Sequence, residues 1–169
     1  MRKPAIEPVL RFLDRIAGGR HADYTIPESS RDDPRTRRAF VVITWLLVAE
    51  VLLGIAAVVV AIVLQSTGTD VPWPVWFRSA VVLGMTATLF YFAWRAQKGY
   101  YWAYSRLRLF SKIFPVVTLV IAAIPGLYPL WMVSEQIVFS LILIGVSDYL
   151  YSDHMRAAFP KPVRTTGTR

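Results

Sequence analysis

A single carboxyl interrupts the most apolar part of this chain. Residues 45–54 read WLLVAEVLLG, and Glu50 lies in a run of 25 residues, 40–64, in which Thr44 is the other polar side chain. A helix of that length crosses a hydrocarbon core of about 30 Å, and Glu50 falls about 15 Å along it, near the midplane. An acidic residue at the bilayer centre costs at least ~2.5 kcal/mol. Glu50 therefore has to face the protein interior or water, or carry a proton.

Small residues accompany Glu50 on its face of the helix. At 100° per residue, three of them fall within about 40° of it: Gly54, Ala57 and Ala61. Such stripes let membrane helices approach closely, and we expect a second stripe, Ala80 and Gly84 in the run 75–94, to pack against the first. No Lys, Arg or His lies at the depth of Glu50 in the apolar runs. Thr86 or Thr88 is therefore predicted to be its hydrogen-bond partner.

Two roles for Glu50 remain open. A neutral carboxyl that donates one hydrogen bond would hold helices together, within the chain or between subunits. A carboxyl that gains and loses its proton would serve a proton-coupled carrier. Residues 47–51 resemble part of the first helix of the small multidrug resistance transporters, four-helix proteins with a glutamate in that helix. The resemblance ends there, because the run 109–127 lacks the glycine-rich, tryptophan-bearing pattern of that family's third helix.

A polar stripe follows the last apolar run, 130–151. Its members fall within about 60° of one another at 100° per residue, and they are Gln136, Ser140, Ser147 and Tyr151. Hydrogen bonds to neighbouring helices are the expected role. Glu135 points away from this stripe, about one turn below the outer surface, where we expect it to reach water.

Catalytic and metal-binding motifs are missing from the sequence. It contains no HExxH, GxSxG, P-loop or GxGxxG pattern, and it has no cysteine. Asp148, Asp153 and His154 offer metal-ligand side chains at the end of the last run, but their spacing is not that of a known metal motif. We therefore predict a protein that is not an enzyme, with no cofactor and no bound metal.

Cations and aromatic rings alternate between the second and third apolar runs. The segment 94–112 is predicted to bind the phosphate of an anionic lipid through seven side chains: Trp94, Arg95, Lys98, Trp102, Arg106, Arg108 and Lys112. The alternative is an aromatic belt at the membrane interface with extended basic side chains. Nucleic acid is not expected as a partner.

The distribution of charge predicts the orientation in the membrane. Of 19 Lys and Arg residues, nine precede residue 40, five lie in 95–112 and four follow residue 155, whereas the loops 65–74 and 127–130 hold none. Because cytoplasmic loops retain positive charge, both termini and the segment 95–112 are predicted to be cytoplasmic. Four spans, about 40–64, 75–94, 109–127 and 130–151, satisfy this arrangement.

The expected fold is an all-α integral membrane protein, a four-transmembrane-helix bundle spanning 35–152. An amphipathic inner-leaflet helix, 1–19, and a polar linker, 20–34, precede it. Asp33 and Pro34 have the pattern of a helix N-cap followed by proline. Residues 153–169 are predicted to be a basic, disordered cytoplasmic tail. The excess of Arg over Lys, 15 to 4, is typical of GC-rich bacterial genomes and favours a bacterial inner membrane.

The sequence supports two functional hypotheses. The first is a non-catalytic accessory or assembly subunit of a membrane complex, in envelope or lipid metabolism. The second is a small proton-coupled carrier or lipid transporter that works as an oligomer around Glu50. Anionic lipids of the inner leaflet and another membrane protein, or a second copy of the chain, are the expected partners. A third, more distant hypothesis is an enzyme that acts on a lipid headgroup at the segment 95–112.

Overall fold

The computed structural model describes residues 24–161, and within that range the chain is helical, with turns and one isolated bridge. The helices are α1 (Glu28–Arg31), α2 (Pro34–Ser66), α3 (Trp73–Gln97), α4 (Tyr101–Ala122), α5 (Leu130–Tyr151) and α6 (Asp153–Ala158). Three of these, α2, α3 and α5, are long and apolar enough to cross a membrane. The all-helical class and the membrane character are confirmed, and the count of four spans stays a prediction.

Helix α4 differs from the other long helices in composition. Its first 12 residues include Arg106, Arg108 and Lys112, and Pro115 lies inside the helix. These three cations make α4 less apolar than the other long helices, and it is not among the helices apolar enough to cross a membrane. Its length matches that of α5, since each has 22 residues and therefore extends about 33 Å.

The start of α2 follows from its first residues. The Asp33 side chain accepts a hydrogen bond from the Arg35 backbone N–H at 2.7 Å, and Pro34 occupies the first helical position, where its missing N–H costs nothing. The predicted N-cap is thus confirmed. The helix continues for 33 residues to Ser66.

Helix α3 begins and ends closer to its neighbours than the sequence suggested. Helix α3 starts at Trp73, between Pro72 and Pro74. Proline is tolerated in a first helical turn, so neither residue prevents the helix. At the other end only residues 98–100 separate α3 from α4, so most of the predicted loop 95–112 is helical. Gly99 makes this turn with a φ of +90°, which favours glycine.

The four long helices form a ring. Helix α3 packs against α2 and α4, and α5 also packs against α2 and α4, so that α3 and α5 face each other across the bundle. A large apolar cluster fills the half of the bundle nearest the turn 98–100, with Leu47, Leu89, Leu107 and Phe139 among its fully buried members. A small cluster, Ala61, Val75 and Met132, closes the opposite half.

Residues 24–33 and α6 cover the end of the bundle that holds the turn 98–100. Ile26 donates its backbone N–H to the Gly99 carbonyl at 2.9 Å, and an isolated antiparallel bridge joins Thr25 to Tyr100. From α6, Phe159 stacks on Tyr104 with ring centroids 4.3 Å apart. The predicted disorder of 153–169 is therefore wrong for residues 153–159, because Met155, Ala158 and Phe159 are buried apolar anchors.

The predicted amphipathic helix at 1–19 lies outside the described residues, as do residues 162–169.

Candidate functional site

A polar layer lies between the two apolar clusters and draws on all four long helices. It contains Arg78 of α3, Glu135 and Gln136 of α5, the Thr118 carbonyl of α4 and, deeper along α2, Glu50. Arg78 and Glu135 each follow a member of the small cluster, Val75 or Met132, by three residues. One helical turn therefore brings both side chains to the same level.

An ion pair crosses the interior at this level. Arg78 Nη1 lies 2.7 Å from Glu135 Oε2, and both side chains are at most 9% exposed. In the amide orientation that satisfies both of its groups, Gln136 accepts from Arg78 Nε at 3.2 Å and donates to the Thr118 carbonyl at 3.1 Å. The pair thus links the opposite helices α3 and α5, and Gln136 ties it to α4.

This pair corrects the expectation for Glu135. The carboxyl was predicted to reach water near the outer surface, but it is 8% exposed and neutralised by Arg78. A buried carboxylate needs a compensating charge, and Arg78 at the matching depth of α3 supplies it. The sequence contained this signal, since both residues lie about one turn inside the same end of their helices.

Glu50 is fully buried and is not a member of that ion pair. Neither of its carboxyl oxygens has a hydrogen-bond partner within residues 24–161, although Glu135 is near enough for the two charges to interact. The predicted partners were wrong. Thr86 donates to the Val82 carbonyl and Thr88 to the Gly84 carbonyl, each at 2.9 Å. A threonine hydroxyl in a helix bonds readily with the carbonyl four residues earlier.

The polar stripe of α5 divides into different environments. Gln136 and Ser140 are buried, and Ser140 Oγ lies 3.5 Å from the Pro115 carbonyl of α4, a long contact. Ser147 and Tyr151 are half-buried. Of the four residues of this stripe, Gln136 forms the predicted interhelical hydrogen bond most clearly.

The small residues of α2 face inward, and those of α3 do not. Gly54, Ala57 and Ala61 are buried, and the Leu83 side chain of α3 approaches Gly54 so closely that an added Cβ would lie 2.9 Å from Leu83 Cδ2. Ala80 and Gly84, in contrast, are exposed, which corrects the predicted packing of two small-residue stripes.

The orientation of Arg78 explains this difference in α3. At 100° per residue, Ala80 lies about 160° from Arg78 and Gly84 about 120° from it. Burial of the guanidinium beside Glu135 therefore turns Ala80 and Gly84 outward. A large side chain, Leu83, fills the notch at Gly54 instead.

The seven residues predicted to bind an anionic lipid do not form one surface. Arg95 is 7% exposed and Trp102 is 3% exposed, so neither is available to a headgroup. The Arg95 guanidinium lies 5.1 Å from the centroid of the Trp94 ring, and Trp102 packs edge-on against Phe92. Arg95 lies in the last turn of α3 and Trp102 in the first turn of α4, and both side chains are on the buried faces of these helices.

The remaining members of that set are engaged in separate places. Lys98 Nζ lies 3.7 Å from the Trp94 ring centroid, while Arg108 and Lys112 lie over the Tyr151 ring, at 3.9 and 5.5 Å. Arg106 is exposed. Cation–π contacts of this kind hold the basic side chains against the bundle.

The acidic and histidine side chains at the end of α5 also separate. His154 Nε2 lies 3.0 Å from the Thr36 hydroxyl and 3.8 Å from Asp33 Oδ1, and Asp148 and Asp153 are exposed. Within residues 24–161 no three His, Asp or Glu side chains come together as a metal site. His154 thus joins α6 to the first turn of α2.

Comparison of the chain with protein-family models, with curated proteins and with solved structures found no match.

Proposed function

We propose that this chain is a small proton-coupled carrier, with Glu50 as the group that binds the proton. The observation that supports it is a fully buried carboxyl without a hydrogen-bond partner within residues 24–161, beside a buried ion pair. Ionisable groups inside membrane bundles that lack a structural partner are typical of proton and substrate pathways.

The charges of Arg78, Glu135 and Glu50 explain how proton release would be coupled to transport. Arg78 is already neutralised by Glu135, so an ionised Glu50 adds one uncompensated negative charge to the interior. Such a charge is unfavourable in a low-dielectric environment. Loss of the proton therefore has to be matched by positive charge, from a cationic substrate or from movement of Arg78, whose Nη2 has no hydrogen-bond partner within the described residues.

The alternative role of Glu50, to hold helices together through a hydrogen bond, has less support. A hydrogen bond between subunits requires a carboxyl at the protein surface, and Glu50 is 0% exposed. A hydrogen bond within the chain requires a partner, and Glu50 has none within residues 24–161. The site lies within a single bundle, so an oligomer arranged around Glu50 is not needed.

Infrared spectroscopy of the reconstituted protein tests the proposal without knowledge of the substrate. A carrier has to exchange its proton, so the protonated-carboxyl band should disappear as pH is raised and should be missing in Glu50→Gln. Glu28→Gln is the matched control, because the Glu28 carboxyl is exposed and lies outside the polar layer, and it should retain the band. A band that persists over the whole range in which the protein stays folded would refute proton exchange at Glu50.

We propose a four-span arrangement in a bacterial inner membrane, with both termini in the cytoplasm. The supporting observation is that residues 24–33, the turn 98–100 and α6 share one end of the bundle, and that the cations of residues 24–161 other than Arg78 lie on or near that end. Cationic segments remain on the cytoplasmic side. A fourth span, α4, follows if its charged half lies at the headgroups.

A second candidate is a non-catalytic accessory or assembly subunit of a membrane complex. The outward small-residue face of α3, with Ala80 and Gly84, favours it, because such faces let a second membrane helix pack closely. Purification in mild detergent followed by mass spectrometry should then recover a stoichiometric partner. Gly84→Leu should lose that partner, and Val81→Leu, beside it on the exposed surface, should keep it. Purification as the chain alone would contradict this candidate.

A further inference from the structure

A groove lies on the outside of the bundle where the segment before α2 meets the end of α3. Its volume is about 580 Å³, and its walls are formed by Arg31, Asp32, Arg37, Phe40, Val41, Thr44, Trp45, Val48 and Gln97. None of these side chains belongs to the polar layer around Glu50. The groove therefore needs an explanation of its own.

The lining of the groove changes character along α2. Arg37, Val41, Thr44 and Val48 follow one another at spacings of four, three and four residues, which places them on one face of the helix. That face extends about 16 Å from Arg37 to Val48. Along this face the side chains are first charged, at Arg37, and then apolar, at Val41 and Val48. Between these two valines, Thr44 accepts a hydrogen bond from Gln97 Nε2 at 3.2 Å.

The apolar part of the groove faces outward from the bundle. Trp45 is 69% exposed and Val41 is 55% exposed, on a helix apolar enough to cross a membrane. Tryptophan is enriched where the hydrocarbon core meets the headgroups. We therefore expect a lipid hydrocarbon chain to pack against Val41 and Trp45.

The charged rim favours an anion. Arg31 lies near two acids, with Nε 3.5 Å from Asp32 Oδ1 and Nη2 3.8 Å from Glu28 Oε1, so that these charges partly neutralise one another. Arg37 is exposed and forms no ion pair with any residue of the described range. Arg37 is therefore the cation of the rim that no acid of the described range neutralises, and it lies next to an apolar wall.

We propose that this groove binds one anionic phospholipid, with its phosphate at Arg31 and Arg37 and one acyl chain along Val41, Trp45 and Val48. The order of charged, polar and apolar side chains matches the order of phosphate, glycerol esters and hydrocarbon in such a lipid. The site differs from the seven-residue set predicted in the segment 94–112.

Native mass spectrometry of the delipidated full chain tests this site. Phosphatidylglycerol should bind more tightly than phosphatidylcholine with the same acyl chains. Arg31→Gln with Arg37→Gln should weaken phosphatidylglycerol binding roughly 30-fold, about fivefold for each cation lost near a phosphate, and should weaken phosphatidylcholine binding less, because its choline balances the charge of its phosphate. Both arginines are at the surface, so the fold should be retained.

The matched control is Arg35→Gln with Arg38→Gln, which removes the same charge from the same end of α2 outside the groove. Retained phosphatidylglycerol binding in this control supports the groove. Equal weakening in both double variants would reveal diffuse attraction and overturn the proposal, as would equal binding of the two lipids by the unmodified chain.

Discussion

The ion pair between Arg78 and Glu135 dominates the energetics at the residue scale. Each partner alone would be an uncompensated charge in the bundle interior, and the desolvation of both is offset by their contact, by Gln136 and by the Tyr128 ring, whose centroid lies 6.0 Å from the Arg78 guanidinium. A pair with so little solvent contact holds α3 and α5 in one rotation about their axes. The ion pair therefore selects one packing arrangement of α3 and α5 in addition to its effect on stability.

Removing one partner of this pair should destabilise the bundle strongly. Arg78→Ala leaves Glu135 buried without a cation, and we expect a loss of about 3–5 kcal/mol in the free energy of unfolding. The double variant Arg78→Met with Glu135→Leu should recover most of that loss, because no charge remains. Equilibrium unfolding in detergent measures both. A double variant no more stable than Arg78→Ala would show that the pair is not the source of the effect.

The sequence correctly predicted that Glu50 faces inward, but it did not predict the hydrogen bonds around it. Its position in the middle of an apolar run predicted an inward face, and the carboxyl is fully buried. Hydrogen bonds depend on the rotation of the facing helix, which one sequence does not specify when both faces are apolar. Arg78 and Glu135 were the residues that could have fixed that rotation, because opposite charges at equal depth favour contact.

At the scale of the element, α3 illustrates the competition between two packing rules. Small residues favour close approach of helices, whereas a buried guanidinium has to be neutralised by a carboxylate. The second requirement prevails, because the desolvated charge costs several kcal/mol and a membrane packing contact is worth less. The buried face of α3 is therefore the face of Arg78, Val82 and Leu89.

Substitution of two glycines should distinguish the two faces. Gly54→Leu introduces a side chain where Leu83 already lies, and overpacking of this kind costs about 1–3 kcal/mol. Gly84→Leu is the control, since nothing lies within 4 Å of an added Cβ there, and its effect on the isolated chain should be within about 0.5 kcal/mol. Thermal unfolding of both purified variants measures the difference. Equal losses would contradict the observed orientation of α3.

Helix boundaries were predictable where local chemistry decides them. The Asp33 cap and Pro34 mark the start of α2 in the sequence and in the structure. The turn 98–100 was harder to find, because cations and aromatic rings also suit an interfacial loop. What makes α4 begin at Tyr101 is tertiary contact: Trp102, Tyr104 and Leu107 are buried in the core.

For the whole molecule, the segregation of charge is the main organising feature. The cations of residues 24–161 other than Arg78 lie on turns and helix ends around the turn 98–100, and Lys112 reaches that end by extending over Tyr151. The loops between α2 and α3 and between α4 and α5 hold no Lys or Arg. One end of the bundle is therefore basic and the other is not.

The side on which α4 ends can be measured directly because the chain has no cysteine. Single substitutions Thr69→Cys, Lys98→Cys, Ile124→Cys and Lys161→Cys place one thiol at each exposed turn or end. In intact cells a membrane-impermeant maleimide should label Thr69→Cys and Ile124→Cys, and it should label the other two only after permeabilisation, because their cationic surroundings remain cytoplasmic. Unmodified chain is the blank. If α4 does not cross, Ile124→Cys will be protected together with Lys98→Cys while Thr69→Cys is still labelled, and the bundle will have three spans.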